Sequence, residues 1–415
     1  MGRRGVISSG TRYTEVVPRP LVLLPLILLS SAVLRADTVL VLPFFNGSGK
    51  PSLDWIGESI AETVREAFSS QGMIALSRDD REAAYRSLQF HSHVTLTKAS
   101  VIRIGQSLDA DQVIYGDFDL KPPPATPAST AKTRGTLSIA ARVLDLKQAR
   151  EGPKFSEVGA LEDLAVLQRH LAWQALTLVV PATAPSEAEF DRRNPVVRVD
   201  AIESYIRGLL ASSSDEKRKL FGQAIRLNPG YSQAAFELGR VNFAAKDYRT
   251  AADWFAKVPR DSTPYNEANF LLGLSRYAMG DFSGAETAFQ QVASNVPLNE
   301  VLNDLGAAQS RRNEPTALET FQKALDGDTS DPVYQFNTGY ALWKQGNFTA
   351  AADRFRAVLE RDPADKDAPV LLDRCLKKIG PRRGDARTAS LERLKTNYEE
   401  SAWFQLKAIL QPKQP

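Results

Sequence analysis

The sequence predicts an α/β N-terminal domain, a mixed sheet with helices, followed by an all-α superhelical solenoid. Two observations predict it. The stretch Thr38 to Phe45, TVLVLPFF, is apolar on both faces, as a central strand requires, and helical spacing follows it. In the second half, glycines recur at Gly239, Gly273, Gly306 and Gly339, at intervals of 34, 33 and 33 residues. Self-similarity at that period marks a helical repeat array, in which each helical pair exposes an apolar face that only the next pair covers.

The chain has 415 residues, enough for two or three domains, with 43% hydrophobic and 24% charged residues as in an ordinary globular protein. A formal charge of +3 is too small to argue for nucleic acid, and no nucleic-acid partner is expected. Cys375 is alone, which excludes an intramolecular disulfide and a multi-cysteine metal site.

Residues 1–36 have the layout of a secretory signal peptide. Arg3, Arg4, Arg12 and Arg19 precede the apolar run Leu21 to Leu29, and Ser30, Ser31, Ala32 and Ala36 follow it. Cleavage is expected after Ala32 or Ala36. The alternative is an uncleaved inner-membrane anchor, although Leu21 to Leu34 supplies 14 residues and a span takes about 20. No cysteine stands directly after the run, which argues against a lipoprotein anchor. The expected location is the periplasm or cell envelope.

The first folded domain is placed at 37–180. Pro43 ends the opening strand. Leu53, Ile56, Ile60, Val64 and Phe68 mark a helix with Ser52 as its N-cap. Met73 to Leu76 is a short strand. Asp79 or Asp80 caps a helix through Leu88, and Thr97 caps another carrying Val101, Ile104 and Leu108. Strands follow at Val113 to Leu120, Thr136 to Leu146 and Phe155 to Val158, and a helix at Leu161 to Val179 closes the domain. Residues 121–134, with their prolines and no large apolar residue, read as a mobile loop between antiparallel strands.

The motifs Leu42-Pro43-Phe44, Asn46, Gly49, Trp55-Ile56-Gly57-Glu58, Ala110-Asp111 and Val113-Ile114-Tyr115-Gly116 resemble a bacterial envelope family. It comprises the amino-terminal α/β domain of TolB and the related domains of CsgG and FlgO. The resemblance implies a non-catalytic, envelope-associated interaction module. There is no sign of TolB's propeller or of the acylated cysteine typical of CsgG, so neither whole function carries over.

Residues 181–195 are polar and proline-flanked and read as a linker. The array spans 196–363, a shortened opening repeat and four fuller ones. Leu-Gly at 238–239, 272–273 and 305–306 and the pairs Ala251/Phe255, Ala285/Phe289, Ala317/Phe321 and Ala351/Phe355 resemble tetratricopeptide repeats. So do the turns Gly280-Asp281-Phe282 and Gly346-Asn347-Phe348, and Pro297, Pro332 and Pro363 near the repeat ends. The resemblance implies a concave groove lined by the first helix of each pair, which holds a protein or peptide. The groove positions it gives are Gln233, Phe236, Arg240, Phe243, Glu267, Phe270, Leu274, Tyr277, Asn303, Ala307, Arg311, Phe336, Asn337, Tyr340 and Trp343, with Tyr340 and Trp343 preferred for partner contact. Phe236, Phe270 and Phe336 serve equally as packing between helices. A clamp for a terminal carboxylate is argued against, because its positions hold Glu237, Glu267, Glu300 and Asp304, and only Asn337 suits it.

Residues 364–415 read as a capping helix at 365–379 and a tail helix from Thr388 to Leu410 that packs back on the array or makes a separate contact. The segment 374–395 is the most basic in the chain and, with residues 21–34, is a candidate membrane contact. Catalysis, metal and cofactor have little to stand on. His91, His93 and His170 lack ligand spacing, and Gly47-Ser48-Gly49-Lys50 lacks the glycine spacing and Lys-Ser/Thr ending of a phosphate loop. The expected function is a non-enzymatic exported scaffold, with a ligand-sensing α/β domain that controls the array as the alternative.

Overall fold

The structure, a computed structural model, describes residues 1–2, 38–90, 94–122, 134–400 and 403. Residues 3–37, which hold the expected leader, together with His91 and His93, most of the proline-rich loop and the end of the tail lie outside the described residues.

The chain opens with β1 (Thr38–Val41), β2 (Phe45–Asn46) and α1 (Asp54–Ser70), then β3 (Ile74–Ala75), α2 (Arg78–Leu88) and α3 (Lys98–Ser107). Strands β4 (Gln112–Lys121), β5 (Thr136–Asp145), β6 (Arg150–Glu151) and β7 (Phe155–Ala160) complete the sheet before α4 (Leu164–Val179). The strand order is β3-β1-β4-β5-β6, with β2 also on β4 and β7 also on β5. Pairings among β1 to β4 are parallel, and those of β5 are antiparallel, so the sheet is mixed. The side-chain alternation of β1 divides the core into two layers. Val39 and Val41 pack with α1 and α4, whereas Leu40 and Leu42 pack with Ala84 of α2 and Val101 and Ile104 of α3. Both faces are covered, which explains the continuous apolar run.

Two caps differ from the sequence reading. Ser77, rather than Asp79 or Asp80, caps α2, and Asp80 returns a bond to the Ser77 amide in a capping box. Ser52 does not cap α1, because a 3-10 turn at Pro51–Leu53 leads directly into it. Thr97 caps α3 through the amide of Ser100 at 3.2 Å. Gly57 of α1 is required by close approach, since a Cβ there would lie 2.0 Å from the carbonyl oxygen of Phe44.

Residues 181–195 hold a short helix, α5 (Glu187–Arg193), whose Phe190 is buried in the domain core. Trp173 donates to the Pro185 carbonyl at 3.0 Å, and Arg169 pairs with Asp191 at 2.9 Å. The segment is therefore packed against α4 rather than a bare linker.

The array runs α6 (Val199–Leu210), α7 (Ser214–Leu227), α8 (Ser232–Ala244), α9 (Tyr248–Phe255), α10 (Tyr265–Ala278) and α11 (Phe282–Asn295). It continues with α12 (Asn299–Arg311), α13 (Ala317–Gly327), α14 (Pro332–Lys344), α15 (Phe348–Arg361) and the capping helix α16 (Ala368–Leu376). The recurring glycine and aromatic are one device. A Cβ on Gly208, Gly239 or Gly273 would stand 2.5 Å from the ring of Phe221, Phe255 or Phe289, and all three rings are fully buried. Glycine on the first helix thus admits the phenylalanine of the second, and the pair locks the hairpin. The turn between them needs a left-handed residue, which Gly280 (φ 81°) and Gly346 (φ 78°) supply and Lys246 (φ 61°) and Asn313 (φ 58°) replace.

The α/β core continues into the first repeat without a break, through Phe190, Ile202, Tyr205 and Phe221. Arg207 of α6 donates to the carbonyl of Ser52 at 3.0 Å, and Gln233 of α8 to Glu66 of α1 at 3.0 Å.

Candidate functional site: the concave groove and the tail within it

The expected tail helix does not form over the described residues 388–399. After α16 the chain turns at Lys378 and Gly384 and runs back along the first helices of the repeats, and among the described residues of the tail helical backbone is found at Glu400 and Trp403. The physical reason lies in its backbone bonds. Amides and carbonyls that a helix would pair internally are held by side chains of the array.

The grip is densest at Arg393. Its carbonyl accepts from Asn337 at 2.7 Å and from Asn303 at 2.9 Å, and its amide donates to Asn337 Oδ1 at 2.9 Å. Asn337 thereby reads both backbone groups of one residue, as a neighbouring β-strand would. Asn337 also donates to Asn303 Oδ1 at 2.8 Å, and both side chains are fully buried. Two residues on, the Lys395 amide donates to Asp304 Oδ1 at 2.9 Å, and the Glu399 amide to Glu300 at 3.1 Å. Tyr340 donates to the Thr388 carbonyl at 2.8 Å, Ser310 to Glu392 at 2.7 Å, and Asn266 to Glu400 at 2.7 Å. The tail therefore runs opposite to the order of the repeats, from α14 to α10.

Its side chains are matched as well. The Arg393 guanidinium lies 3.4 Å from the Phe336 ring centroid and binds both oxygens of Asp365, at 2.5 and 2.9 Å. Asp367 stands 3.4 Å away. Lys395 pairs with Asp331 and lies 5.0 Å from the centre of the Tyr334 ring. Leu394 packs against the cluster of Ala307, Phe321 and Ala341, and Leu391 against the cluster around Tyr340 and Phe355. Tyr398 lies on Phe270 with centroids 5.3 Å apart.

The groove positions expected from sequence divide into three groups. Phe270, Asn303, Phe336, Asn337 and Tyr340 contact the tail directly, and Tyr277 shares a cluster with Leu394. Arg311 stacks over Phe282 at 4.3 Å beside them, and Leu274 and Ala307 are buried between helices. Trp343, preferred for contact, is 1% exposed, and its indole nitrogen donates to the Ile379 carbonyl at 2.8 Å, so it holds the capping turn. The last group lies at the α/β end. Gln233 bonds to Glu66, Phe236 packs on Phe255, Arg240 pairs with Glu237 at 3.2 Å, and Phe243 meets Tyr248 edge-on. Glu267 lies between the groups, its carboxyl pushed up by burial and partly restored by Arg240.

Sequence reasoning missed the acidic set. Glu300 and Asp304 were weighed only as groups that would repel a carboxylate. Here they accept amides, and Asp331, Asp365 and Asp367 receive the cations. A signal was present, since acidic first helices in an array ahead of a basic tail are complementary. Of the basic segment, Arg374, Lys377, Arg393 and Lys395 are paired with carboxylates of the chain itself. Burial pushes the Asp304 carboxyl well above the usual carboxylate range, opposed by the Lys395 amide. Two cavities flank the tail. One of about 380 Å³ is lined by Glu300, Asp331, Tyr334, Lys395 and Trp403, and one of about 230 Å³ by Arg311, Tyr340, Lys344 and Glu392.

The other candidates for chemistry resolve into structure. His170 of α4 contacts Glu157 at 2.6 Å and stacks on Trp173, and Cys375 is buried, which pushes its thiol up to about 11. Among the described residues no group of three or more potential ligands could hold a metal ion, and no helix is long and apolar enough to cross a membrane. In the α/β domain, the buried Glu58 and Arg81 pair with each other, and Ser59 donates to Gln168 at 2.8 Å.

Comparison with known proteins places the helical half. Residues 218–267, 270–332 and 336–372 match the family model of the tetratricopeptide repeat, so the chain carries such repeats from α7 to α16. No curated protein matches the sequence. Among solved structures, the array is similar to YrrB, described as a tetratricopeptide-repeat protein with an unusual peptide-binding site. The identity is 20% over 43% of this chain and 92% of YrrB, with a TM-score of 0.38. It is also similar to MamA from Desulfovibrio magneticus RS-1, 20% identical over 39% of this chain and 92% of that one, TM-score 0.36. For Pseudomonas aeruginosa pilF the values are 16%, 43% and 83%, TM-score 0.36. The molecule is a mixed α/β domain followed by a helical solenoid that carries tetratricopeptide repeats.

Proposed function

We propose that this protein is an exported scaffold of the bacterial cell envelope whose repeat groove holds an extended segment of a partner protein. One observation carries the reading. The groove grips a chain by its backbone, with Asn303, Asn337, Asp304 and Glu300 bonding to main-chain groups of residues 393, 395 and 399. Contacts of that kind suit any extended peptide, because every residue but proline offers an amide and a carbonyl. The α/β domain, similar in its motifs to the TolB, CsgG and FlgO domains, serves as a second docking module. It is packed onto the first repeat, so partners on the two parts are held at a set separation. The basic, apolar leader directs export, and retention of the leader as an anchor is the variant of the same reading.

The test places a photo-crosslinking residue at Arg311 of the full chain in cells. An adduct with a second protein in the envelope fraction, lost on Asn303→Ala/Asn337→Ala substitution in a folded chain, supports the reading. Adducts confined to the chain's own tail, or a chain confined to the cytosol, would overturn it.

A further inference from the structure

We infer that the groove selects a partner segment in which arginine, leucine and lysine follow one another and an aromatic stands three residues on, and that such a segment binds by displacing residues 391–399. The inference rests on the peptide-scaffold reading and names the partner's chemistry.

In an extended chain successive side chains point to opposite sides. Arg393 and Lys395 therefore share one side, and Leu394 takes the other. The groove is built for that alternation. On the cationic side stand Asp365, Asp367 and Asp331, with the ring faces of Phe336 and Tyr334 beneath the charges. On the other side Leu394 packs against the cluster of Ala307, Ala317, Phe321 and Ala341. Tyr398 then lies on the Phe270 ring. A negative residue at 393 or 395 would face carboxylates, and a polar one at 394 would be half-buried against apolar groups. Backbone bonds from the asparagines hold any strand, whereas these side-chain sites discriminate between strands.

Residues 391–399 fill the sites because they are tethered to them. The connection from α16 is residues 377–390, with Gly380, Pro381 and Gly384 in it. A short tether gives an effective concentration on the order of millimolar. A partner in trans must overcome that local concentration, so the free groove is far more receptive than the tethered one.

The probe is a labelled peptide with the sequence of residues 388–400, its binding read by fluorescence anisotropy. It is offered to the full chain and to a full chain carrying Arg393→Glu and Lys395→Glu, substitutions confined to the tail that leave every groove residue in place. The substituted chain should bind the peptide at least about 30-fold tighter than the natural one, and a peptide with the same two glutamates should not bind. Equal binding of both peptides by the substituted chain would overturn the selectivity while leaving the scaffold reading intact. Equal binding of the natural peptide by both chains would overturn displacement. No binding to the substituted chain, with circular dichroism unchanged, would overturn this inference and the peptide-groove reading together.

Discussion

Replacing Asn337 by alanine tests the central contact of the groove. Asn337 donates to the Arg393 carbonyl at 2.7 Å and accepts from its amide at 2.9 Å, while Asn303 holds the same carbonyl independently at 2.9 Å. The substitution leaves the Arg393 amide and one Asn303 oxygen without their partners, and the carbonyl half-satisfied. A net hydrogen bond contributes about 1 kcal/mol, and an orphaned buried group costs about 1–3 kcal/mol. The docked tail should lose about 2–3 kcal/mol relative to its released state. At about 1.4 kcal/mol per factor of ten, this opens the tail roughly 30- to 150-fold more often. Amide hydrogen exchange reads it directly at Lys395, whose amide is bonded to Asp304 only while the tail is docked. Its exchange should accelerate by that factor, and amides of α10 and α12 should not change to the same degree. An Asn337→Ala chain that stays folded and keeps full protection at Lys395 would refute the reasoning.

Further outcomes follow from the same geometry. Phe289→Ala removes a fully buried ring seated against Gly273 and should lower stability by about 3–5 kcal/mol in denaturant unfolding, with Gly273→Val destabilising comparably from the opposite side. Lys246→Gly relieves a non-glycine residue at φ 61° and should raise stability by about 0.5–1 kcal/mol, seen as a higher unfolding midpoint. Burial pushes the Glu66 carboxyl up to about 7 from 4.5, with Arg65 opposing. The folded state therefore holds that proton more tightly than the unfolded state, and stability from this group is full below about 4.5 and lost as pH rises to 7. Glu66→Gln should flatten that slope and raise stability at pH 8 by about 1 kcal/mol, a value reduced for the half-buried position. A pH-stability profile indistinguishable from the natural chain would count against the burial of the Glu66 carboxyl.

Much of the fold was legible in the sequence because its signals are local. The 33- to 34-residue interval of Gly239, Gly273 and Gly306 records a helix crossing that admits no side chain, so the repeat is written wherever it occurs. The strand pattern of Thr38 to Val41 follows from burial on both faces. Ser77 was missed as a cap because Asp79 and Asp80 stand next to it, and only the turn geometry chooses among three competent residues. Asn303, Phe336, Asn337 and Tyr340 were legible as groove positions from the resemblance, because the repeat sets which helix faces turn inward. Trp343 was misplaced for contact because that face also receives the capping turn at Ile379.

The sequence by itself determined the repeat, the sheet-forming strands and the inward faces of the array, since each depends on periodicity within a few dozen residues. Only the tertiary structure decided what lies in the groove. Leu391, Leu394 and Tyr398 have the spacing of a helical stripe, and local propensity favours a helix there. Asn303 and Asn337, 90 and 56 residues before Arg393 in the chain, outbid that helix by taking its backbone groups. The tertiary structure also decided that the α/β domain and the first repeat share one core, through Phe190 and Tyr205, where a polar sequence had read as a linker. Contacts between distant segments carry no local period, so they emerge only when the chain is folded.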